Sequence, residues 1–411
     1  MTRALMVGHS SVFVRLVDGQ VPERSIVILE EPDLIARKGL HQLPAQHSCV
    51  AEVVAATYQQ GGDFLEAGTD VHRRWGVEAV LPSLEYSVPA AAELAHKLGL
   101  PGAGPRAASI LRDKLALREV TSNAGMAAPD FREIHGPEDI VEFAGTRPVV
   151  VKPADRQASM GVRVLDDVTP EAAAAAWQAM QQLTEGGVPD RPMRRRYLVE
   201  ERLYGTEFSV EAIVRGRQIL LGNVTEKRVV VGASPVEIGH VVPAAVDKAT
   251  RSALMAATED LIDAVEFDSG ILHAEWFYDG GRPTLVECAG RCPGDHLVML
   301  IDLAYGISVR PALIELHSGR APAFPAHPAQ AAAIEFFLPE PGVVERVERV
   351  DAARRMPGVH DLKVTAQPGD RITAWSSSWD RSGYVITVGT DQNEARRRAE
   401  AAAAAVRIRT R

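Results

Sequence analysis

Two glutamates, Glu275 and Glu287, constrain this chain more than any other residues. They sit in two short strand-like runs, 270–278 and 284–288, on either side of Asp279-Gly280-Gly281-Arg282-Pro283. Glycine supplies the turn conformations that a tight hairpin needs at no steric cost. A hairpin centred on Gly281 sets the two glutamates directly opposite each other, and like charges facing across a strand pair are destabilising. Such a pair either grips a divalent cation or stays solvated on an exposed ribbon. Mg2+ takes few protein carboxylates and leaves positions for water and substrate phosphates, so the first alternative is a Mg2+–nucleotide site.

A chain of 411 residues suggests two to four domains, and a hydrophobic content of 46% can fill substantial cores. The formal net charge of −9 argues against a general nucleic-acid partner, although a nucleotide site needs only a local cluster of cations. Cys49, Cys288 and Cys292 form no CxxC pair, a low and odd count that fits a reducing compartment. Neither a charged leader followed by an apolar stretch nor a run of about 18 apolar residues occurs. The expectation is a soluble cytoplasmic protein with no membrane and no nucleic-acid partner.

Apolar runs at 4–8, 25–29 and 77–82 read as buried strands, the third followed by a helix over 88–98 closed by Gly99. Strands alternating with helices predict a parallel α/β layer. Gly8-His9-Ser10-Ser11 lacks the GxGxxG pattern of a dinucleotide fold. One helix is expected over 109–125, capped by Ser109 and ended by Gly125. A short buried strand in 148–153 carries Lys152, and 171–182 is an alanine-rich helix. Residues 186–196 read as a surface loop with a solvated basic run. Strands at 197–201, 207–214, 270–278 and 284–288 and a helix over 248–265 follow. From about 321, short β pieces at 333–338, 343–350 and 384–388 precede a final helix over 391–406.

A lysine ending an apolar strand, as Lys152 does, is costly unless paired or functional. The small polar loop through Ser159-Met160-Gly161 either cradles a phosphate on its backbone N–H groups or is an ordinary hairpin turn. After Gly205, alternation puts Phe208, Val210 and Ala212 on one strand face and Glu207, Ser209 and Glu211 on the other, where acids are expected to be exposed.

In joint order and spacing, several segments resemble the ATP-grasp family of carboxylate–amine ligases. They are Arg112-Asp113-Lys114, Asn123 to Pro129, Lys152-Pro153, Ser159-Met160-Gly161, Glu200-Glu201-Arg202-Leu203, Glu207, Glu275, and Glu287 to Arg291. The resemblance spans nearly the whole chain. It implies an α/β fold, α+β in part: an N-terminal Rossmann-like domain over 1–112, a lid over 113–196, a central antiparallel-sheet ATP-binding domain over 197–320 and a C-terminal β-rich piece over 321–411. It implies ATP and Mg2+, or Mn2+, as cofactors. Lys114 and Lys152 would bind phosphates near Ser159 and Gly161. Glu200 and the backbone of Glu201 to Leu203 would meet adenine, and Glu207 the ribose. Glu275 and Glu287 would ligate the metal, and Arg291 would steady the transferred phosphoryl group. Phosphoryl transfer is mostly positioning plus charge neutralisation, and arginine offers a planar donor fork to an acyl phosphate. The family usually has an asparagine two residues after the second metal glutamate; Ala289 stands there and cannot ligate, which implies altered metal coordination.

Thr225-Glu226-Lys227-Arg228, the segment Val236 to Pro243, Gly369-Asp370 and Arg381 to Tyr384 resemble the L-amino-acid ligase branch, whose members join unprotected amino acids. That branch implies that Glu237 binds the ammonium of the first amino acid, that His240 lies near its carboxylate, polarising it or stabilising the tetrahedral species, and that Arg291 contacts the acyl phosphate and, as one alternative, the acceptor carboxylate as well. Alone, His240 reads equally as a packed core histidine. Some dipeptide ligases carry a bulky tryptophan four residues after the arginine; Asp295 here suggests a first-substrate pocket for a larger, polar or basic side chain. Glu85 would touch the acceptor or lie on the surface, and His273 would support Glu275 or simply pack. The partners implied are small carboxylates and amines, amino acids foremost, in a homodimer, with 126–195 closing over ATP. A non-amino-acid carboxylate, a carrier-bound amine and a nucleotide-binding pseudoenzyme remain open alternatives.

Overall fold

The computed structural model describes residues 2–230, 235–375 and 377–411. Continuous apolar runs make the first four strands, as expected where helices cover both faces of a sheet. β1 (Ala4–Val7), β2 (Ile26–Glu30), β3 (Val50–Ala55) and β4 (Ala79–Pro82) form a parallel sheet in the order β3-β2-β1-β4. The loops after β1 and β4 carry Ser10 and Glu85 to the mouth of a central cleft, where open α/β sheets place ligands.

The single helix expected over 109–125 is two, Pro105–Arg112 and Lys114–Asn123. Asp113 between them is extended, and its carboxylate accepts the N–H groups of Leu115 at 2.9 Å and Ala116 at 3.4 Å. Those are orphan donors of a helix start, so an internal N-cap ends one helix by beginning the next. The break places Lys114 at the start of the second helix, against the lid.

The lid sheet holds β5 (Phe131–Ile134), β6 (Val149–Pro153), β7 (Arg163–Leu165) and β8 (Tyr197–Glu201), antiparallel in the order β5-β8-β6-β7. Ile140 and Met180, from two covering helices, close its core over Val149, Val151 and Tyr197. The arginine-rich segment after this core is not a solvated loop. Arg191 forms a two-pronged ion pair with the fully buried Glu31 at 2.6 and 2.9 Å. Arg194 and Gln60 exchange two hydrogen bonds of 2.8 Å each, and Arg196 grips Glu133 and Asp113. Acids too far away in sequence to be counted together answer the basic run.

The remaining strands are β9 (Thr206–Arg215), β10 (Gln218–Val230), β11 (Val236–Val242), β12 (Gly270–Tyr278), β13 (Thr284–Ala289), β14 (Ala331–Phe336), β15 (Gly342–Glu348), β16 (Val359–Val364), β17 (Arg371–Ile372), β18 (Gly383–Gly389) and β19 (Arg407–Thr410). Eight of them build one antiparallel sheet in the order β13-β12-β9-β10-β11-β14-β18-β16, and β17-β15-β19 form a small one. Helix Lys248–Val265 packs on Phe208, Val210, Leu272 and Trp276. Helices Leu297–Tyr305 and Val309–His317 cover part of the opposite face, over Ile213, Val242 and Ile271. The face bearing Glu207, Ser209 and Glu211 is therefore roofed, which overturns the expectation of exposed acids: Ser209 and Glu211 are both buried. Among the described residues, no single helix is long and apolar enough to cross a membrane.

Trp276 is fully buried in this sheet, so Trp276→Ala should cost about 3–5 kcal/mol and lower the denaturant midpoint of the central domain. His317 is buried with Nδ1 3.3 Å from the Pro101 carbonyl, and burial lowers its pKa to about 4. The unfolded chain takes up that proton near pH 6.5, so the stability contributed by the neutral ring is full above 6.5 and is lost as pH falls towards 4. Unfolding midpoints measured from pH 7 to 4.5 should fall less steeply in His317→Gln than in the wild type.

Candidate active site

A cavity of about 660 Å3 opens where the lid, the central sheet and the first domain meet. β12 and β13 bring Glu275 and Glu287 opposite each other in register, as the hairpin reading expects, with an irregularity directly after Glu275. Neither acid is uncompensated. Lys227 Nζ lies 3.1 Å from Glu275 and also bonds Glu207, while Lys114 Nζ lies 3.0 Å from Glu287. Lys152 Nζ lies 2.6 Å from one oxygen of Glu200, and Arg118 Nε bonds the other at 2.7 Å. All three lysines are buried.

These pairs set the charge states. Burial alone would raise the Glu275 carboxyl, but Lys227 and His273 hold it well below the usual range. Burial also works against Glu200, which Arg118 and Lys152 nevertheless keep low. For Glu207, burial outweighs the Lys227 charge and the pKa rises. Lys227 itself is raised against burial by the surrounding glutamates.

Behind Glu275 runs a polar chain. His273 Nε2 is 3.2 Å from Glu275, and Nδ1 is 3.0 Å from Glu211. Glu211 also receives Ser209 at 2.6 Å, Thr225 at 2.6 Å and Asn223 at 3.0 Å. Burial would lower the His273 pKa, but its two carboxylate partners lift it to about 9. His273 is thus a cation that orients Glu275, not a packing residue alone.

The lid loop borders the cavity through Gln157, Ala158 and Ser159. Ala158, Ser159 and Gly161 have φ of 55°, 56° and 76°. A Cβ at Gly161 would sit 2.5 Å from Leu183, so the close packing of this loop also calls for glycine. Lys114 Nζ donates to the Arg156 carbonyl at 2.7 Å, tying the loop to the helix start. Glu201 donates its N–H to Asp130 at 2.9 Å and continues into half-exposed Arg202 and Leu203. Glu200 and Glu207, expected at adenine and ribose, have their carboxylates engaged by Lys152, Arg118 and Lys227.

At the other end, Glu237 accepts from Ser378 Oγ at 2.5 Å. His240 Nε2 is 3.0 Å from Asp295, and its Nδ1 is buried without a partner. Arg381 pairs with Asp295 through both terminal nitrogens, one at 2.8 Å, and its guanidinium lies 3.7 Å over the Phe336 ring. Against burial, Arg381 and His240 hold the Asp295 carboxyl far below the usual range. The space expected at Asp295 is thus occupied by Arg381, and the carboxylate charge is already matched, so Asp295 does not stand ready for a basic substrate. Arg291 Nε bonds Glu85 at 2.6 Å, which places Glu85 in the site and not on the surface.

Sequence reasoning did not assign Lys227, Arg118 or Arg381 to the site. Asn223, Thr225 and Lys227 share one face of β10 and are all buried. Three polar residues at alternate positions were the available signal for Lys227. Arg118 and Arg381 meet their acids only through tertiary folding.

Glu275 and Glu287 suit Mg2+ bound together with phosphates. Among the described residues no group of three His, Cys, Asp or Glu could hold a metal alone, and Mg2+ typically completes its octahedron with water and phosphate oxygens. Ala289 lines the same cavity and offers no ligand.

Two family models match the chain: an ATP-grasp domain over residues 146–298 and an L-amino acid ligase C-terminal domain 2 over 335–411. An uncharacterised protein of Sinorhizobium fredii is 22% identical over 79% of this chain and 66% of its own length. Alanine–anticapsin ligase of Bacillus subtilis is 24% identical over 62% of this chain and 57% of its own length. The chain thus spans less than two thirds of these relatives. L-amino acid ligase from Bacillus licheniformis superposes with a TM-score of 0.80 at 16% identity, covering 100% of this chain and 99% of that one. Phosphoribosylglycinamide synthetase from Anaerococcus prevotii follows at 0.69 and 14%, with 100% of each chain covered. The matches and the superpositions agree on an ATP-grasp fold, with an ATP-grasp domain over residues 146–298 and a segment similar to an L-amino acid ligase C-terminal domain over 335–411.

Proposed function

We propose that this chain is an ATP-dependent carboxylate–amine ligase that forms an amide, of dipeptide type, through an acyl phosphate. One observation carries the reading: Lys114, Lys152 and Lys227 are all buried and neutralised by glutamates, with Lys227, its partner Glu275 and the Lys114 partner Glu287 lining the cavity. A structural core gains little from three such pairs, because desolvation offsets most of the attraction. Exchange of these carboxylates for phosphate oxygens gives the arrangement a use.

In this reading a substrate carboxylate oxygen bonds the γ-phosphorus as the bond to ADP breaks. An amine nitrogen then bonds the acyl carbon, the C–O bond to phosphate breaks, and one proton is released. Lys114, Lys152 and Lys227 bind the phosphates, and His273 keeps Glu275 ionised and oriented. Mg2+ held by Glu275 and Glu287 would supply charge neutralisation of the phosphate oxygens. Arg291, fixed by Glu85, steadies the transferred phosphoryl group. Glu237 takes the donor ammonium. His240, held by Asp295 at Nε2, lies beside the donor carboxylate, where it polarises that group or stabilises the tetrahedral species. Segment 126–195 closes the site against water, which would hydrolyse the acyl phosphate.

The test is product analysis with Mg-ATP across pairs of amino acids and simple carboxylates. ADP, phosphate and an amide from one pair are the expected products, whereas AMP with pyrophosphate would overturn the acyl-phosphate route. Glu287→Ala should lower turnover by roughly a hundredfold or more with an unchanged circular dichroism spectrum. Asp295→Ala should release Arg381 and His240 together, raising the KM for the donor acid more than that for ATP.

A further inference from the structure

The cavity carries a guanidinium, that of Arg310, with no hydrogen-bonding partner among the described residues. Arg310 belongs to helix Val309–His317, which packs on helix Ser11–Val17 and on β4. Its side chain is only 8% exposed, yet it lines the cavity. Its ion-pair contact with Asp302 is 3.8 Å, too long for a hydrogen bond. Asp302 instead accepts the Val309 N–H at 2.8 Å.

The other two arginines on the cavity are engaged. Arg291 bonds Glu85 and the Cys292 carbonyl, and Arg381 bonds Asp295 and the Ser378 carbonyl. What little of this side chain is exposed lies on the cavity, so a ligand there can supply the acceptors that the protein does not. The planar fork matches a carboxylate. Of the lysines read above as phosphate ligands, Lys114 starts a helix against the lid, Lys152 is in the lid sheet and Lys227 is beside Glu275 on β10, and the reacting carboxylate belongs near Arg291 and His240. A carboxylate at Arg310 is therefore a different one.

We propose that Arg310 is a specificity-determining residue that binds the carboxylate of the amine substrate, making the acceptor an amino acid or a similar carboxylate-bearing amine. This rests on the ligase reading above. The step it serves is the attack already described; Arg310 holds the acceptor while its nitrogen bonds the acyl carbon, and forms no covalent bond itself.

The experiment sets two amines against each other on one acyl phosphate. The wild type and Arg310→Met receive Mg-ATP, an acid that the wild type activates, hydroxylamine, and a second amine. The second amine is each common amino acid, its carboxamide, or aminomethylphosphonate. The readout is the ratio of amide to hydroxamate, which is independent of the overall rate. For the amino acids preferred by the wild type, the ratio should fall roughly tenfold or more in Arg310→Met, with a much smaller change for their carboxamides. Should the methionine variant not fold, Arg310→Lys carries the same contrast with a smaller fall. Equal falls for acid and carboxamide, or no fall, overturn the proposal, and a preference for aminomethylphosphonate replaces the carboxylate with a phosphate. Hydroxamate formed at unchanged ratios removes Arg310 alone. Absence of both hydroxamate and ADP with every acid removes the ligase reading and this proposal with it.

Discussion

Internal charge compensation on the central sheet is the interaction on which the rest depends. Glu275 and Glu287 face each other at the wall of the cavity, where two bare carboxylates would repel. Lys227 and Lys114 reach them from two different structural units, a neighbouring sheet strand and the helix start after the first domain. Lys152 does the same for Glu200 from within the lid sheet. The hairpin, the lid and the connecting helix are thus fastened to one another by ion pairs whose cations are also the natural ligands of a polyphosphate. Nucleotide binding in such a site exchanges one set of anions for another and leaves the lysines neutralised throughout.

The same logic organises the donor end. Asp295 has His240 on one side and Arg381 on the other, so a residue of the ATP-grasp domain and a residue of the C-terminal domain meet on one carboxylate. Glu237 and Ser378 repeat the contact a few residues away. The C-terminal domain is therefore a wall of the site. Ser378, Trp379, Arg381, Gly383 and Tyr384 line the cavity from that side.

Local patterns were legible wherever strand or helix periodicity spoke for itself. Helix Lys248–Val265, strand β12 and the opposition of Glu275 and Glu287 could all be read from order and turn chemistry. The helix break at Asp113 was harder, because the N-cap lies inside a continuous helical pattern. Errors concentrated where burial comes from a distant part of the chain. Glu211 looked exposed because strand alternation cannot show that helices from 297–317 and the first domain roof that face. The basic run near Arg191 looked solvated because Glu31 lies 160 residues away. Asp295 looked like open space for the same reason: Arg381, which fills it, is 86 residues further on.

The contact between Arg191 and Glu31 has unequal halves. Glu31 also accepts the backbone N–H groups of Tyr58 and Gln59, at 3.0 and 2.8 Å. Neighbouring Glu30 is satisfied by Tyr58, His9 and the N–H of Glu31. The N–H groups of Tyr58 and Gln59 both go to one oxygen of Glu31, while the other oxygen is held by Arg191 Nη1 at 2.6 Å. The first domain therefore supplies half of the anchor and the arginine-bearing segment the other half. Seating that segment and neutralising a buried carboxylate are one event, because removing a single partner of a buried ion pair is far costlier than never having built the pair.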